Sequence, residues 1–473
     1  MKNTTIAAVS TPFGRGGIAV IRISGEDALK VASEMFIPAR GCDLSAVKGG
    51  SAVYGSIVSG GEFIDDGIAT VFLAPRSFTG EDTVEISCHG GILLTERVLK
   101  TAFDCGAVPA GAGEFSQRAF MNGKIDLSGA EAIIGLIDAE SEEKLRLSAS
   151  HSRGVLRERC NAIYERIMHL LASVYVKLDY PEEDLSEVSD GEFIAELEAI
   201  REMLLSTEGT YKQGKAVSEG VRTAIIGKPN VGKSSLLNAL IGENKAIVTS
   251  VAGTTRDVIE ETVTAGRVIL RLFDTAGIRE SDDEVERIGI ERALEKASEA
   301  ELIVAVMDTS RPLDDEDGAV LDILSLHVKN GLCAVCVLSK SDISPVFGIS
   351  EVTGAIVSRL GSEKLPENLR FCSVSARDGK GVDELKKIAE AFFCEGYVDY
   401  QNTAVVANAR QFSAVSGARK SIENAIAAFE GGMGADVCGL DLEGALRSIG
   451  QVDGRSVADE ITNEIFHRFC VGK

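Results

Sequence analysis

The periodicity of apolar positions changes twice along the chain and then reverts. Up to about Phe120, short alternating runs (IAVIRISG, GIATVFLAP, DTVEISCHGG) are separated by glycines and by amphipathic stretches (DALKVASEMF, LLTERVLKTAF). This texture predicts an α+β domain. From about Leu127 the spacing becomes helical: Ser128 and Glu131 stand at capping-box distance, with Ile133, Ile134 and Ile137 following on one face. Helices are also predicted over 163–178 and 192–211, separated by a break at Tyr180-Pro181. In the second of these, Ile194, Leu197, Ile200 and Leu204 mark the buried side.

At Val221 apolar runs begin to alternate with helical ones: VRTAIIG then KSSLLNALIG, VILRLFDTAG then EVERIGIERALEKA, and so on to VDELKKIAEAFF. Alternation of this kind predicts a parallel sheet covered by helices. Helical spacing returns over 404–430, 442–449 and 457–469. The predicted fold is therefore multidomain. An α+β domain spans 1–120, and an all-α helical domain is built from two parts, 121–216 and 397–473. Between those parts an α/β P-loop domain is inserted over 217–396.

Composition adds exclusions. With 49 Lys+Arg against 72 Asp+Glu, the net charge of −23 opposes broad non-specific binding to nucleic acid, though not a local basic patch such as Arg153, Arg157, Arg159 and Arg166. Apolar runs such as Gly331–Leu338 are too short to span a bilayer, and the N-terminus lacks a signal-peptide run. A soluble, cytoplasmic protein is expected. Ten scattered cysteines suit a reducing compartment. The one CxxC pair, Cys333 and Cys336, sits in an apolar run and reads as core rather than as a zinc site.

The strongest chemical signal is Gly227-Lys228-Pro229-Asn230-Val231-Gly232-Lys233-Ser234, which lies between a predicted strand and a predicted helix. Such a loop curls backbone N–H groups around phosphates, with Lys233 reaching the β/γ-phosphates and Ser234, followed by Ser235, opening the helix with a hydroxyl for Mg²⁺. Asp274-Thr275-Ala276-Gly277 follows the next strand, where a metal-side carboxylate and a γ-phosphate sensor belong. Ser339-Lys340-Ser341-Asp342 and Ser375-Ala376-Arg377 end two later strands and have the chemistry to read guanine. Ser339 stands where GTPases usually hold Asn, so a shorter hydroxyl replaces the amide that braces loop and base. Ile278 stands where Ras-like enzymes hold a water-orienting Gln, so a catalytic group must come from elsewhere. The segment Thr249, Ser250, Val251, Ala252, Gly253, Thr254, Thr255 reads either as a cage for a monovalent cation together with Asn230, or as a hydrophilic loop with one Mg²⁺-binding Thr.

These motifs, together with TPFGRGGIAVIRISG, SFTGEDTVE…HGG, GEFSQRAFMNGKIDLSGAEAI, DTAGIRESDDEVERIGIERA and the terminal FCVGK, resemble the MnmE (TrmE) family of tRNA modification GTPases. The resemblance implies a homodimer that hydrolyses GTP with potassium stimulation. With an FAD-dependent partner, MnmG, it would modify C5 of wobble uridine 34 in certain tRNAs. A one-carbon tetrahydrofolate such as 5-formyltetrahydrofolate, with glycine or ammonium, would supply the new group. It further implies that Asn230, Thr249, Val251 and Thr254 hold potassium, that Ser234 and Thr255 hold Mg²⁺, and that Glu286 orients the attacking water. Arg22, Glu85, Lys124 and Lys473 fall on the folate-contacting positions. Cys470 is either a chemical group beside the folate or a packing residue. The competing expectation is a ribosome-assembly type of regulatory GTPase, which binds RNA without altering it.

Overall fold

The computed structural model describes residues 4–41, 43–179, 189–242, 261–272, 297–394, 396, 398–455, 465–467, 469, 471 and 472. Backbone contacts divide the chain into two compact units, one comprising Met1–Ile134, His151–Leu185 and Gly434–Lys473, the other Gly135–Ser150 and Ser186–Met433. The helical segments are thus shared between the units.

The first unit holds a sheet of β1 (Ile6–Val9), β2 (Ile18–Ser24), β3 (Phe36–Pro38), β4 (Ser51–Ser59), β5 (Glu62–Phe72), β6 (Thr83–His89) and β7 (Val108–Pro109). Their order is β3-β4-β5-β6-β2-β1-β7, antiparallel except where β7 joins β1. Strand alternation explains its two faces. Ile21 and Ile23 of β2, Val84 and Ile86 of β6, and Ala69 and Val71 of β5 point into one core with the helices Ala28–Met35 and Ile92–Asp104. The intervening residues, among them Arg22 and Glu85, occupy the other face, where the two are direct register partners. The helix Glu114–Met121 buries Phe115 with Ile6 and Ala8.

The far end of the chain returns to this unit. Phe466 and Phe469 pack with Leu127 and Phe120, Val471 bridges Ala112, and the Ser10 hydroxyl donates to the Gly472 carbonyl at 3.0 Å. The helix Leu127–Ile137 forms close to its predicted place, but with a different cap: the Asp126 carboxylate accepts from Gly129 N–H, one turn in. Ser128 lies inside the helix and donates instead to the Val452 carbonyl at 2.8 Å. Asp126 outcompetes it because its oxygen sits one residue before the first helical turn.

The second unit holds β8 (Val221–Ile226), β9 (Glu261–Ala265), β10 (Val268–Leu272), β11 (Leu302–Asp308), β12 (Cys333–Ser339) and β13 (Leu369–Val374), in the order β13-β12-β11-β8-β10-β9. All neighbours run parallel except the edge strand β9, which the sequence pattern alone does not reveal. Every residue of β11 and β12 is buried, because helices cover both faces; Cys333 and Cys336 are core residues, as their setting predicts. The helices Lys233–Gly242 and Val382–Phe393 cover one side, and Asp315–Lys329 and Ile349–Leu360 the other. The helix Asp190–Glu208 opens with a true capping box, Ser189 with Glu192, and buries Phe193, Leu197, Ile200 and Leu204; Phe193 takes the place predicted for Ile194. It packs on the helix Ala409–Glu430, with the rings of Phe193 and Phe429 5.3 Å apart.

Candidate functional site

Four connections leave the carboxyl ends of β8, β11, β12 and β13, which is where open parallel sheets place their ligand sites. The first, between β8 and the helix Lys233–Gly242, is the glycine loop. Gly227 has φ +154°, and a side chain there would bring Cβ within 2.5 Å of the Val306 carbonyl oxygen, so only glycine lets the loop press against β11. Asn230 adopts φ +61°, a left-handed turn that Asn tolerates better than most residues. Lys233 Nζ donates to the Gly227 and Lys228 carbonyls at 2.8 Å each, so the ammonium lies across the mouth of the loop. Ser234 follows on the first turn, half-buried, and Ser235 is exposed.

Two groups brace this loop. The Ser339 hydroxyl, at the end of β12, lies 2.7 Å from the Val231 carbonyl and 3.0 Å from that of Met307. The short side chain thus still ties the loop to the end of β12, where the segment Ser339–Asp342 begins. Its single proton is engaged by main-chain acceptors. The second brace is the buried Lys228 ammonium, which donates to Asp314 Oδ2 at 2.5 Å and Asp317 Oδ2 at 2.6 Å. Burial alone would lower this lysine, but the bonds to the two carboxylates outweigh it and hold the group above its ordinary value. The Lys228 hydrogen bond in turn holds Asp314 down at about 2.

Beside these, Lys340 adopts φ +58° and its Nζ donates to Asp308 Oδ2 at 2.6 Å. Burial pushes the Asp308 carboxyl up, yet bonds from Lys340 and Ser310 prevail and keep it well below the usual range. Ser341 N–H donates to the Val374 carbonyl at 3.3 Å, which ties the β12 connection to the end of β13. Asp342 and Arg377 are exposed, Ala376 is half-buried and Ser375 is buried, its N–H donating to the Lys380 carbonyl at 3.0 Å. The structure thus brings Asn230, Val231, Gly232, Lys233, Ser234, Ser339 and Lys340 to one end of one sheet. Thr249, Ser250, Val251, Ala252, Gly253, Thr254, Thr255, Asp274, Thr275, Ala276, Gly277, Ile278 and Glu286 lie outside the described residues.

On the first unit, Arg22 Nε donates to Glu85 Oε1 at 2.8 Å, and its guanidinium lies 5.6 Å from the Phe78 ring centre and 5.5 Å from that of Phe115. Lys124 borders the same loop, its ammonium donating to the Pro75 carbonyl at 2.9 Å and its side chain lying against Gly80, on either side of Phe78. Lys473 and Cys470 lie outside the described residues, although Gly472 beside them is anchored to Ser10. A partly exposed guanidinium–carboxylate pair between two aromatic rings fits a flat heterocycle with carboxylate appendages. In the basic cluster considered for RNA, Arg157 pairs with Asp126 at 3.4 Å.

Sequence reasoning missed three groups. Lys228 with Asp314 and Asp317 is one, and Asp308 with Lys340 another. The third is Arg118, buried with Glu81 at 3.1 Å, Glu114 at 2.7 Å and the Thr4 carbonyl at 2.8 Å. The sequence carried local signals for two of them, the capping-box spacing of Asp314 and Asp317 and the i,i+4 spacing of Glu114 and Arg118. No helix among the described residues is long and apolar enough to cross a membrane, and no His, Cys, Asp and Glu group there could hold a metal ion.

Comparison with known proteins gives matches along the whole length. The family description "MnmE helical domain" matches residues 127–470, and "GTP-binding protein TrmE N-terminus" matches residues 5–124. The tRNA modification GTPase MnmE of Symbiobacterium thermophilum is 41% identical, with 100% of each chain covered. That of Bacillus cytotoxicus is 40% identical, again over 100% of both. Among solved structures, the G domain of the T. maritima FeoB iron transporter covers 36% of this chain and 98% of its own, at 24% identity and a TM-score of 0.23.

Proposed function

Since the chain belongs to the MnmE family of tRNA modification GTPases, we propose that its GTP hydrolysis drives modification of wobble uridine 34 in tRNA, through a carboxymethylaminomethyl or aminomethyl group placed on C5. The observation that carries this reading is the glycine loop at the end of β8, shaped by left-handed turns and spanned by Lys233. GTP binds with its phosphates on the loop amides, Lys233 leaving its two carbonyl partners to meet them. Asp342 reads the guanine edge, and Ser375, Ala376 and Arg377 line the base from the β13 connection.

Ser234 and Thr255 are the proposed Mg²⁺ ligands. Asn230, Thr249, Val251 and Thr254 are proposed to hold potassium, which would supply positive charge beside the transferring phosphoryl group in place of a basic side chain. Glu286 orients water, and Asp274, Thr275, Ala276 and Gly277 sense the γ-phosphate.

Arg22, Glu85, Lys124 and Lys473 are assigned to a one-carbon tetrahydrofolate, which supplies the transferred carbon when bound. The chain's own part is to hold that ligand: Arg22 and Lys124 offer cations to its carboxylates and Glu85 an acceptor to its ring N–H groups. Cys470 stands close in sequence to Lys473. A homodimer is favoured by the open sheet face of the first unit, where Ile18, Tyr54 and Ile68 are 67%, 58% and 45% exposed. The FAD-dependent MnmG is the proposed heteromeric partner, and the cytoplasm the proposed compartment. The test is reconstitution with MnmG, GTP, folate and an unmodified tRNA. The modified nucleoside is expected after digestion, and its absence with GTP hydrolysis intact would favour a purely regulatory GTPase.

A further inference from the structure

The phosphate loop is not held by its own residues alone. Lys228 is the second residue of the motif, a position the motif leaves free, yet its ammonium is among the most enclosed charges in the second unit, its side chain 4% exposed. It reaches across to the connection after β11 and lies between Asp314, 52% exposed, and Asp317, 4% exposed. Those two aspartates form the capping box of the helix Asp315–Lys329. Asp317 N–H donates to Asp314 Oδ1 at 3.1 Å, and Asp317 Oδ2 accepts from Asp314 N–H at 3.2 Å. The same carboxylate oxygen therefore caps the helix and holds the loop. The main-chain carbonyl of Lys228 accepts from Lys233, the residue that must meet the phosphates.

We propose that Lys228 is a positioning residue for nucleotide binding, clamped by Asp314 and Asp317 so that the phosphate loop keeps its receptive shape before nucleotide arrives. A buried ion pair contributes little net stability compared with apolar packing of the same volume, so holding the fold together does not require one here. Holding a loop in its bound shape does increase affinity, because less conformational freedom is lost on binding. Gly227 already presses on β11, and Val231 is tied to Ser339. Lys228 fixes the turn between them, ahead of the exposed Pro229 and Asn230. Without the clamp, residue 228 is free to rotate, and its carbonyl and the amides that follow lose their common direction.

The proposal rests on this loop being the nucleotide site, and the test separates the two. Calorimetry of GDP with Mg²⁺ on the full chain, and steady-state GTP hydrolysis, are compared for wild type, Lys228→Met and Lys228→Arg. Lys228→Met is expected to weaken GDP binding at least tenfold and raise KM for GTP by a similar factor, with kcat changed less than threefold. Lys228→Arg, which keeps the charge, is expected to recover most of the affinity. Since Lys228→Met leaves Asp317 buried without a cation, the double variant Lys228→Met/Asp317→Asn serves if the single one melts early. GDP affinity equal to wild type in the folded variant, or a loss confined to kcat, overturns the clamp. Failure of the wild type itself to bind GDP overturns the site reading beneath it.

Discussion

The two units build their candidate sites in opposite ways. In the second unit the groups proposed to bind phosphate lie within eight consecutive residues, Gly227–Ser234, and the fold's contribution is to brace them from β11 and β12. In the first unit no two of the grouped residues are neighbours in sequence. Arg22 meets Glu85 through strand register, Arg118 meets Glu81 and Thr4, and Ser10 meets Gly472 across nearly the whole chain. A contiguous site depends on local backbone shape, a dispersed one on long-range packing, so the two should fail differently when perturbed.

The largest effect is expected at the contiguous site. Lys233→Ala removes the cation that spans the loop and should lower GTP turnover by roughly 100-fold or more, measured as phosphate release, with the melting temperature little changed. At the dispersed site the first loss should be in stability. Arg118→Met leaves Glu81 and Glu114 without their buried cation and should destabilise the first unit by roughly 3 kcal/mol, read by denaturant unfolding.

This contrast also explains what was legible in advance. The glycine loop could be read because its shape requires particular residue types at fixed spacing. The runs of β2, β5 and β6 in the first sheet and of β8, β10, β11, β12 and β13 in the second were visible as well, since buried strands alternate or run apolar; β1, β3, β4, β7 and β9 were not. Strand register is another matter: nothing in IAVIRISG or DTVEISCHGG announces that Arg22 will face Glu85, and only family resemblance pointed there. Lys228 was missed for the same reason, Asp314 lying 86 residues away, as was the pairing of Arg118 with Glu81, 37 residues away. The cap on the helix Leu127–Ile137 went to Asp126 rather than Ser128, because two candidate oxygens competed within three residues.

A smaller effect sharpens the view that the chain's last residues complete the first site. A Cβ on Gly472 would lie 2.1 Å from the Val9 carbonyl oxygen, at φ +103°. Gly472→Ala should therefore displace the segment and weaken binding of 5-formyltetrahydrofolate about tenfold by calorimetry. GTP turnover should stay unchanged.

The smallest effect is electrostatic. Asp314, held at about 2 by Lys228, titrates near 3.9 when unfolded, so its stabilising contribution is complete above about pH 4 and is lost as pH falls towards 2. The melting-temperature difference between wild type and Asp314→Asn should be constant above pH 5, fall as pH drops below 4 and be small by pH 1. A difference that does not change between pH 5 and pH 1 would mean the Lys228 bond does not set this carboxylate.

On the proposed function, the contiguous loop binds GTP, and a potassium ion caged beside it would assist hydrolysis. The most direct measurement is GTP turnover in KCl against NaCl at equal ionic strength, for wild type and Asn230→Ala. Faster turnover in KCl, with the advantage lost in Asn230→Ala, is the predicted result. Equal rates in the two salts for the wild type would contradict it.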